Sequence, residues 1–504
     1  MSRQQQIINE RKRKLKELKE QGIDPYPNKF NQKDFSENIK QQHAKLKNNQ
    51  SSKQKVTIAG RVMTKRNLGK LIFATIQDTK GKIQLILQKE KTQDKSFNLF
   101  KKYVDAGDFI GAEGTITKTN TGEISVLTKK IQILSKSILP LPEKFHGIQD
   151  DEERLRKRYL DIIMNPEIKE LFIKKSKFWN TIRTFLLEKD FIEVETPVLE
   201  TSAGGASATP FQTHHNALDL DVYLRISMGE LWQKKLMVAG YGKTFEIGRQ
   251  FRNEGMDAEH LQDYTQMEFY WSYANYEDGM KLVEEMYKKI AKETIGTLKF
   301  ETGEYKVDLG KKWEIYDYEK IIKKHTKINI YKTTEKEIKD TLNKLKVEYD
   351  PNVDKWRLVD ILWKYVRKKL AGPGFLVGQP VEVTPLAKRN PEDSRKVQQF
   401  QVIIAGSEMG NGYSELNDPL DQEERFIEQS KLKQAGDQEA HEHDKDFVEA
   451  LMHGMPPTCG FGVSERLFSV LVNKPIRECV IFPLMKPSEE KQEKTNKQSS
   501  GSKA

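Results

Sequence analysis

The sequence predicts an α+β protein of more than one domain. Two patterns carry this expectation. A block of short, alternating strands lies in the first third of the chain, and beyond a proline-containing linker helical segments interleave with strands that are not regularly followed by helices. With 504 residues the chain is also long enough for at least two cores.

Composition narrows the classes. Charged residues make up 32% and hydrophobics 37%, which is polar but still globular rather than disordered. Nothing resembles a membrane span. The start "MSRQQQIINERKRKLKELKEQG" is charged where a secretory signal needs an apolar run of about seven or more residues. Two cysteines, Cys459 and Cys479, are too few for a disulfide framework or a thiolate zinc cluster, and they fit a reducing cytoplasm. The net charge of +11 makes a polyanion a reasonable partner, although a solvated lysine-rich surface accounts for it equally well.

The elements follow in order. Ile7, Ile8, Leu15 and Leu18 fall near one face of a basic amphipathic helix that Gly22 and Pro25 end. Its apolar stripe could pack on its own domain, or its lysines could touch RNA. Residues 31–54 are polar and glutamine-rich, a linker or a loosely packed helix. "VTIAGRVMTKR", "KLIFATIQD", "KIQLILQ", "DFIGAEGTITKT" and "EISVLTKKIQIL" then alternate with near period two between Gly, Asp, Asn and Lys turns. Five such strands suit a small closed barrel, of which the oligonucleotide-binding (OB) fold is a common example. After "ILPLPEKFHGIQDDEERLRKRYLD" come the strand-like runs "FIEVETPVL", "VYLRIS", "TFEIGRQFRNE", "YTQMEFYWSY", "QFQVIIAGSEMGNGYSEL" and "CGFGVSERLFSVLV", expected to form an antiparallel sheet. The organisation expected is a basic helix and linker over 1–53, the barrel over 54–140, a larger α+β domain over 141–487 and a disordered polar tail over 488–504.

No GxxxxGKS/T and no strand-linked GxGxxG occurs, so a nucleotide must be held by side chains rather than by a glycine cradle. Four segments concentrate chemistry. "FRNEGMDAEHLQDYTQMEF" places Arg252 and Glu254 two apart at a strand end; the arginine suits an anionic oxygen, or the two form an ordinary surface pair. "AGGASATPFQTHHNALDLDVYLRIS" offers Gly204 and Gly205 for close backbone approach, while adjacent His214 and His215 face opposite sides of a strand and so do not share a metal. "GSEMGNGYSELNDP" gathers Glu408, Asn411, Tyr413 and Glu415 beyond a strand expected to end near Ile404. Buried, these carboxylates need a metal or an ammonium nearby; the plainer reading is an acidic turn in water. "PPTCGFGVSERLFSVLV" runs a Gly-x-Gly turn into a helix where Arg466 could meet phosphate or pair with a carboxylate.

Taken together and in this order, these segments resemble the signature motifs of the class II aminoacyl-tRNA synthetases, and within that class the lysyl-tRNA synthetase family. The residues that carry the resemblance are "GIDPYPNKF", "GRVMTKR", "LPLPEKFHGIQDDEERLRKRYLD", "FIEVETPVL", "GGASATPFQTHHNALDLDVYLRIS", "FEIGRQFRNEG", "PVEVTPLAKR", "GNGYSELNDP" and "CGFGVSERLF". The resemblance implies an OB-fold that reads the anticodon and a class II antiparallel catalytic sheet flanked by helices. That sheet activates L-lysine with ATP and passes it to the 3′ end of tRNA-Lys, in a homodimer whose interface includes Pro197. It also implies roles for particular residues. Phe73 stacks on an anticodon base whose edges meet Arg66 and Gln84, a use of aromatics common in single-strand recognition; otherwise Phe73 is barrel core. Arg252 grips the α-phosphate of ATP and the lysine carboxylate, and Arg466 closes from the other face. Glu254 takes the adenine amino group, His260 the outer phosphates, and Tyr264 stacks on adenine. Glu408 binds ATP and Mg²⁺. Gly205 and Glu230 hold the α-amino group. Glu268, Tyr270, Asn411, Tyr413 and Glu415 form the side-chain pocket, with Glu415 and Tyr270 at the ε-ammonium.

Four departures from the family pattern stand out. Gln401 occupies the place of a common Mg²⁺-binding glutamate, which leaves the metal count open. The third motif, "GVSER", is one residue short. Glu259 stands where an arginine often touches ATP. "RISMGEL" inserts one residue before Glu230. The readings set beside lysine activation are an aspartyl- or asparaginyl-type enzyme, which the carboxylate of Glu415 argues against, and an RNA-binding protein with a vestigial catalytic domain.

Overall fold

The structure is a computed structural model and describes residues 2–142, 150–202, 204–206, 208–255, 257, 259–434 and 443–487. The tail expected to be disordered, 488–504, and part of the linker lie outside these residues. The chain divides into two compact units, Met1–Arg154 and Leu155–Ala504.

In the first unit β1 (Ser51–Asn67), β2 (Leu71–Gln77), β3 (Lys82–Gln88), β4 (Phe109–Lys118) and β5 (Ile124–Ser135) close into a barrel in the order β1-β2-β3-β5-β4. All neighbours are antiparallel except β3 and β5. The side-chain period of two sorts each strand. In β2, Ile72, Ala74 and Ile76 are buried in the barrel core, while Leu71, Phe73 and Thr75 lie on the outward face. A helix at Asp94–Tyr103, which the period-two reading passes over, adds Phe97, Phe100 and Tyr103 to that core.

The N-terminal helix spans Arg3–Glu20 and is capped by the Ser2 side chain, which accepts from the Gln5 amide. It is seated less by an Ile/Leu stripe than by two residues. Leu18 enters the barrel core, and the buried guanidinium of Arg11 donates to the carbonyls of Ala106, Ser137 and Leu139 and to Ser137 Oγ. The polar stretch after it contains a short helix, Ser36–Gln42, which buries Ile39 in the same core. Its first residue is tied down by Asp78, which accepts from both the Ser36 amide and hydroxyl.

The second unit begins its strands with β6 (Ile192–Glu193) and a small sheet of β7 (Leu199–Glu200), β8 (Gln212–His215) and β9 (Leu220–Leu224). β10 (Lys243–Phe251) and β11 (Asp263–Ser272) follow, then the hairpin of β12 (Lys299–Thr302) and β13 (Tyr305–Asp308). β14 (Glu314–Asp317), β15 (Gly374–Val377), β16 (Gln399–Ile404), β17 (Ser407–Ser414) and β18 (Thr458–Ser464) complete it. The main sheet runs β14-β15-β16-β17-β18-β11-β10-β6. It is antiparallel as expected, except for parallel pairs at both edges, β14 with β15 and β10 with β6.

One face of this sheet is apolar. Phe400, Phe461, Val463, Met267, Phe269 and Phe245 pack there against the helices Pro166–Leu187 and Tyr276–Ile295. The latter helix is fixed at both ends, by an Asn275/Asp278 capping box and by Gly296 in the left-handed conformation. A satellite of three helices, Tyr318–Thr326, Glu335–Lys344 and Lys355–Arg367, has its own core around Trp363. The other face of the sheet is left for polar side chains.

Candidate active site

The segment read as an acidic turn in water is instead a strand. Chain reversal at Ala405 and Gly406, both with positive φ, folds β17 back on β16. Glu408, Asn411 and Tyr413 therefore project from the sheet, and Glu415, just past its end, is buried. The turn reading failed because the density of acidic and small residues says nothing about a cation buried alongside them.

Strand register assembles the site. Residues directly opposite one another share a face, and two rows cross four strands. Gln401, Asn411, Gly462 and Glu268 form one row; Gln399, Tyr413, Gly460 and Tyr270 form the other. The central strand contributes only glycines to these rows, so a hollow of about 490 Å³ opens above it. A Cβ on Gly460 would lie 2.1 Å from Glu415 Oε1 and 2.7 Å from a Tyr270 ring carbon, so the hollow requires glycine there. Arg252, Tyr264, Gly205, Glu230, Glu408, Glu415 and Arg466 also line it.

Glu230 is brought in by local backbone geometry. It is the first residue of the helix Glu230–Val238, and the residue before it, Gly229, adopts φ 66°. A Cβ at Gly229 would meet Thr196 Oγ1 at 2.1 Å. Gly229 of "RISMGEL" is thus a left-handed glycine pressed against Thr196.

Three carboxylates meet in the hollow. Glu268 accepts from the Met228 amide at 3.1 Å, from Gln266 Nε2 at 2.6 Å and from Tyr270 Oη at 3.1 Å. Glu230 accepts from the Tyr413 hydroxyl and pairs with Lys234 Nζ at 2.7 Å. Glu415 lies 2.5 Å from the same Nζ. Burial pushes the Glu268 carboxyl up to about 7, aided by the nearby Glu230. Burial likewise pushes Glu415 up to about 8, with Glu230 and Glu268 adding to the rise and Lys234 opposing it. Lys234 was not singled out in the sequence; its signal there was the i,i+4 spacing from Glu230.

At the other part of the hollow, Arg252 follows directly on β10 and its guanidinium lies 5.9 Å from the Tyr264 ring centroid. Burial raises the Tyr264 hydroxyl and Arg252 opposes that rise. Arg466 opens the helix Arg466–Leu471. The shortened third motif is anchored by the preceding Glu465, fully buried, which accepts from the Thr265 amide and pairs with Lys175. Arg466 itself pairs with Glu259, whose other oxygen accepts from Ser407 Oγ at 3.2 Å. Glu408 Oε1 accepts from Trp363 Nε1 at 2.7 Å, and its Oε2 lies 3.5 Å from Gln401 Nε2. Among the described residues no three His, Cys, Asp or Glu side chains gather as a ready cation cage.

Glu254 and His260 are not brought into the hollow. Both are exposed on the segment after β10, where the strand has already ended, and His260 Nδ1 lies 2.9 Å from both Asp257 oxygens. Glu254 is near enough to Tyr264 to add to the rise of its hydroxyl pKa. In the first unit, Arg66 lies directly opposite Phe73, and Gln84 opposite Thr75, on the outward barrel face. Phe73 is therefore not barrel core. Gln84 Oε1 accepts from Ser125 Oγ at 2.9 Å.

An antiparallel sheet with this polar face, together with a five-stranded barrel, is the architecture of a class II synthetase with an OB domain. The sequence profile described as "tRNA synthetases class II (D, K and N)" matches residues 150–486, and one described as "OB-fold nucleic acid binding domain", of the tRNA anti-codon type, matches 56–134. The chain belongs to the class II tRNA synthetases of the D, K and N group. Among its curated relatives are proteins named lysine-tRNA ligase. That of Thermosipho africanus is 41% identical over 98% of this chain and 97% of its own length. Those of Staphylococcus epidermidis and Halalkalibacterium halodurans are 43% and 42% identical over 94% and 95% of this chain, and over 97% of their own lengths in both cases.

Proposed function

We propose that this chain is a lysine-tRNA ligase: it activates L-lysine with ATP to lysyl-adenylate and transfers lysine to the 3′ end of tRNA-Lys. The observation that carries the choice of amino acid is the convergence of Glu230, Glu268 and Glu415 in one buried hollow. Carboxylates so placed reward a cationic side chain and repel an acidic one, and the one ammonium beside them, Lys234, is already paired with Glu230 and Glu415.

In this reading a lysine carboxylate oxygen attacks the α-phosphorus of ATP and pyrophosphate leaves. Arg252 holds both the attacking carboxylate and the α-phosphate, Arg466 meets the nucleotide from the opposite side, and Tyr264 stacks on adenine. Negative charge develops on the phosphoryl oxygens, which fixed guanidinium groups stabilise without a general base. Glu230 and Gly205 hold the α-amino group. Glu415 and Tyr270 meet the ε-ammonium, and Glu268, Asn411 and Tyr413 complete the pocket. Glu254 and His260 are assigned the adenine and outer-phosphate contacts. Glu259 must release Arg466 before a phosphate takes its place.

Magnesium fits in a limited way. Glu408 has one oxygen anchored by Trp363 and the other only loosely held by Gln401, which suits one carboxylate ligand to an ion held chiefly by phosphates. Bound there, Mg²⁺ would neutralise phosphate charge. Phe73, Arg66 and Gln84 on the outward barrel face form the anticodon contact. The chain acts as a homodimer, supported by the exposed Val198, Leu199, Leu218, Phe482 and Leu484. Its place is the cytoplasm, supported by two cysteines that are buried and unpaired.

ATP/pyrophosphate exchange with lysine, aspartate and asparagine tests the reading. Exchange is expected with lysine alone, and Glu415→Gln is expected to lower kcat/KM for lysine by about 10²-fold or more. Exchange with aspartate but not lysine would overturn it.

A further inference from the structure

Lys234, paired with two carboxylates that line the hollow, is a buried charged group that the proposed mechanism does not use. Its side chain is 1% exposed, and its Nζ sits 2.7 Å from Glu230 Oε1 and 2.5 Å from Glu415 Oε2. The rings of Tyr413 and Phe447 flank it, with centroids 5.5 and 5.7 Å away. A buried ammonium is strongly unfavourable unless it is paired. Here burial alone would lower its pKa, yet Glu230 and Glu415 more than reverse that. The residue is therefore a cation held directly against a pocket read as a receiver of cations.

Charge counting gives this cation a task. Glu230, Glu268 and Glu415 supply three negative charges when ionised. A bound lysine brings two ammonium groups, and its carboxylate is matched by Arg252. Two ammoniums leave one carboxylate over, and Lys234 is the charge that balances it.

On the reading above, we infer that Lys234 is a positioning residue for side-chain selection: its buried ammonium ties Glu230 to Glu415 and completes the balance that admits two substrate ammonium groups. The titratable groups that meet it are Glu230 on its own helix and Tyr413 and Glu415 at β17, and Glu268 and Tyr270 on β11 stand near Glu415 in turn. Lys234 opposes the rise of the Glu415 carboxyl, so without it that carboxyl holds its proton to a still higher pH, and a protonated Glu415 no longer favours an ammonium over a neutral side chain.

The test uses full-length Lys234→Met in lysine-dependent ATP/pyrophosphate exchange from about pH 6 to about pH 9. The KM for lysine is expected to rise about tenfold or more near pH 7, to recover as pH rises, and to leave kcat and the KM for ATP within about threefold. A lysine KM that does not change, or that rises equally at every pH, overturns the inference. Loss of exchange in the wild type would instead overturn the functional reading itself. If the variant gives no cooperative melt, wild-type protein labelled with ¹⁵N-lysine carries the test. A slowly exchanging side-chain ammonium signal, absent from other lysines and shifted by added lysine but not by ATP, is expected. Its absence, or its indifference to lysine, overturns the inference.

Discussion

At Glu415 and Glu268 burial works against ionisation, and the resulting pH dependence runs opposite to that of an ordinary salt-bridged carboxylate. Both pKa values are raised above the usual 4.5, to about 8 and about 7. As pH rises from 4.5 the unfolded chain releases these protons first, so the contribution of the two groups to stability is full below about 4.5 and is lost on the way to about 8. A cation in the pocket favours the charged forms and reverses this. Melting of the ligand-free protein is therefore expected to fall between pH 5 and pH 8, and saturating lysine to raise Tm more at pH 8 than at pH 5; equal lysine shifts at both pH values would contradict the assignment of these carboxyls to the pocket. Glu415 and Glu268 could be named from motif position. Lys234 could not, because in a chain with 85 basic residues an i,i+4 spacing from Glu230 does not mark one lysine of "ELWQKKLMV" as buried until the helix is docked.

Between elements, the decisive contribution comes from a strand with almost nothing to contribute. Gly460 on β18 lies opposite both Tyr413 and Tyr270, and its missing side chain is the volume into which Glu415 points. Gly460→Ala is expected to raise the lysine KM sharply while nucleotide binding persists, and to cost about 1–3 kcal/mol of stability from overpacking. Denaturant titration and exchange kinetics read the two effects separately. Period-two alternation made the five barrel strands and most catalytic strands legible. It did not show that "QFQVIIAGSEMGNGYSEL" is two strands: Gly406 marks the reversal, but the acidic, glycine-rich run after it lacks the apolar alternation of a strand because its side chains line a polar hollow. The helix Asp94–Tyr103 was passed over although Phe97, Phe100 and Tyr103 fall at helical spacing, because at ten residues it is a short interruption in a run of strands.

Over the whole molecule, the two compact units divide the work in the proposed function, one meeting an extended polyanion and the other a small zwitterion. Raising ionic strength is expected to weaken tRNA-Lys binding steeply, with a log–log slope set by the number of phosphates neutralised, and to leave lysine activation nearly unchanged. Equal sensitivity in filter binding and in exchange would contradict that division. The overall architecture was legible because both units announce themselves through composition and motif order. The parallel edge pairs were not, because β6 and β14 are too short to carry a pattern of their own.

The Arg11 anchorage has a kinetic consequence. Four hydrogen bonds from its guanidinium fix the helix Arg3–Glu20 to the barrel wall. Arg13 and Lys14 are engaged by Glu10, Glu17 and Asp105. Lys12 and Lys19 carry no carboxylate partner among the described residues, and Lys16 meets one only at 3.8 Å. Spaced four and three residues apart, these lysines stand one turn from the next along a rigid rod rather than on a loose tail. Charges held so contribute their field before contact, so in the proposed function replacing Lys12, Lys16 and Lys19 is expected to slow RNA association more than it shortens the lifetime of the complex; an unchanged association rate in stopped-flow binding would contradict this.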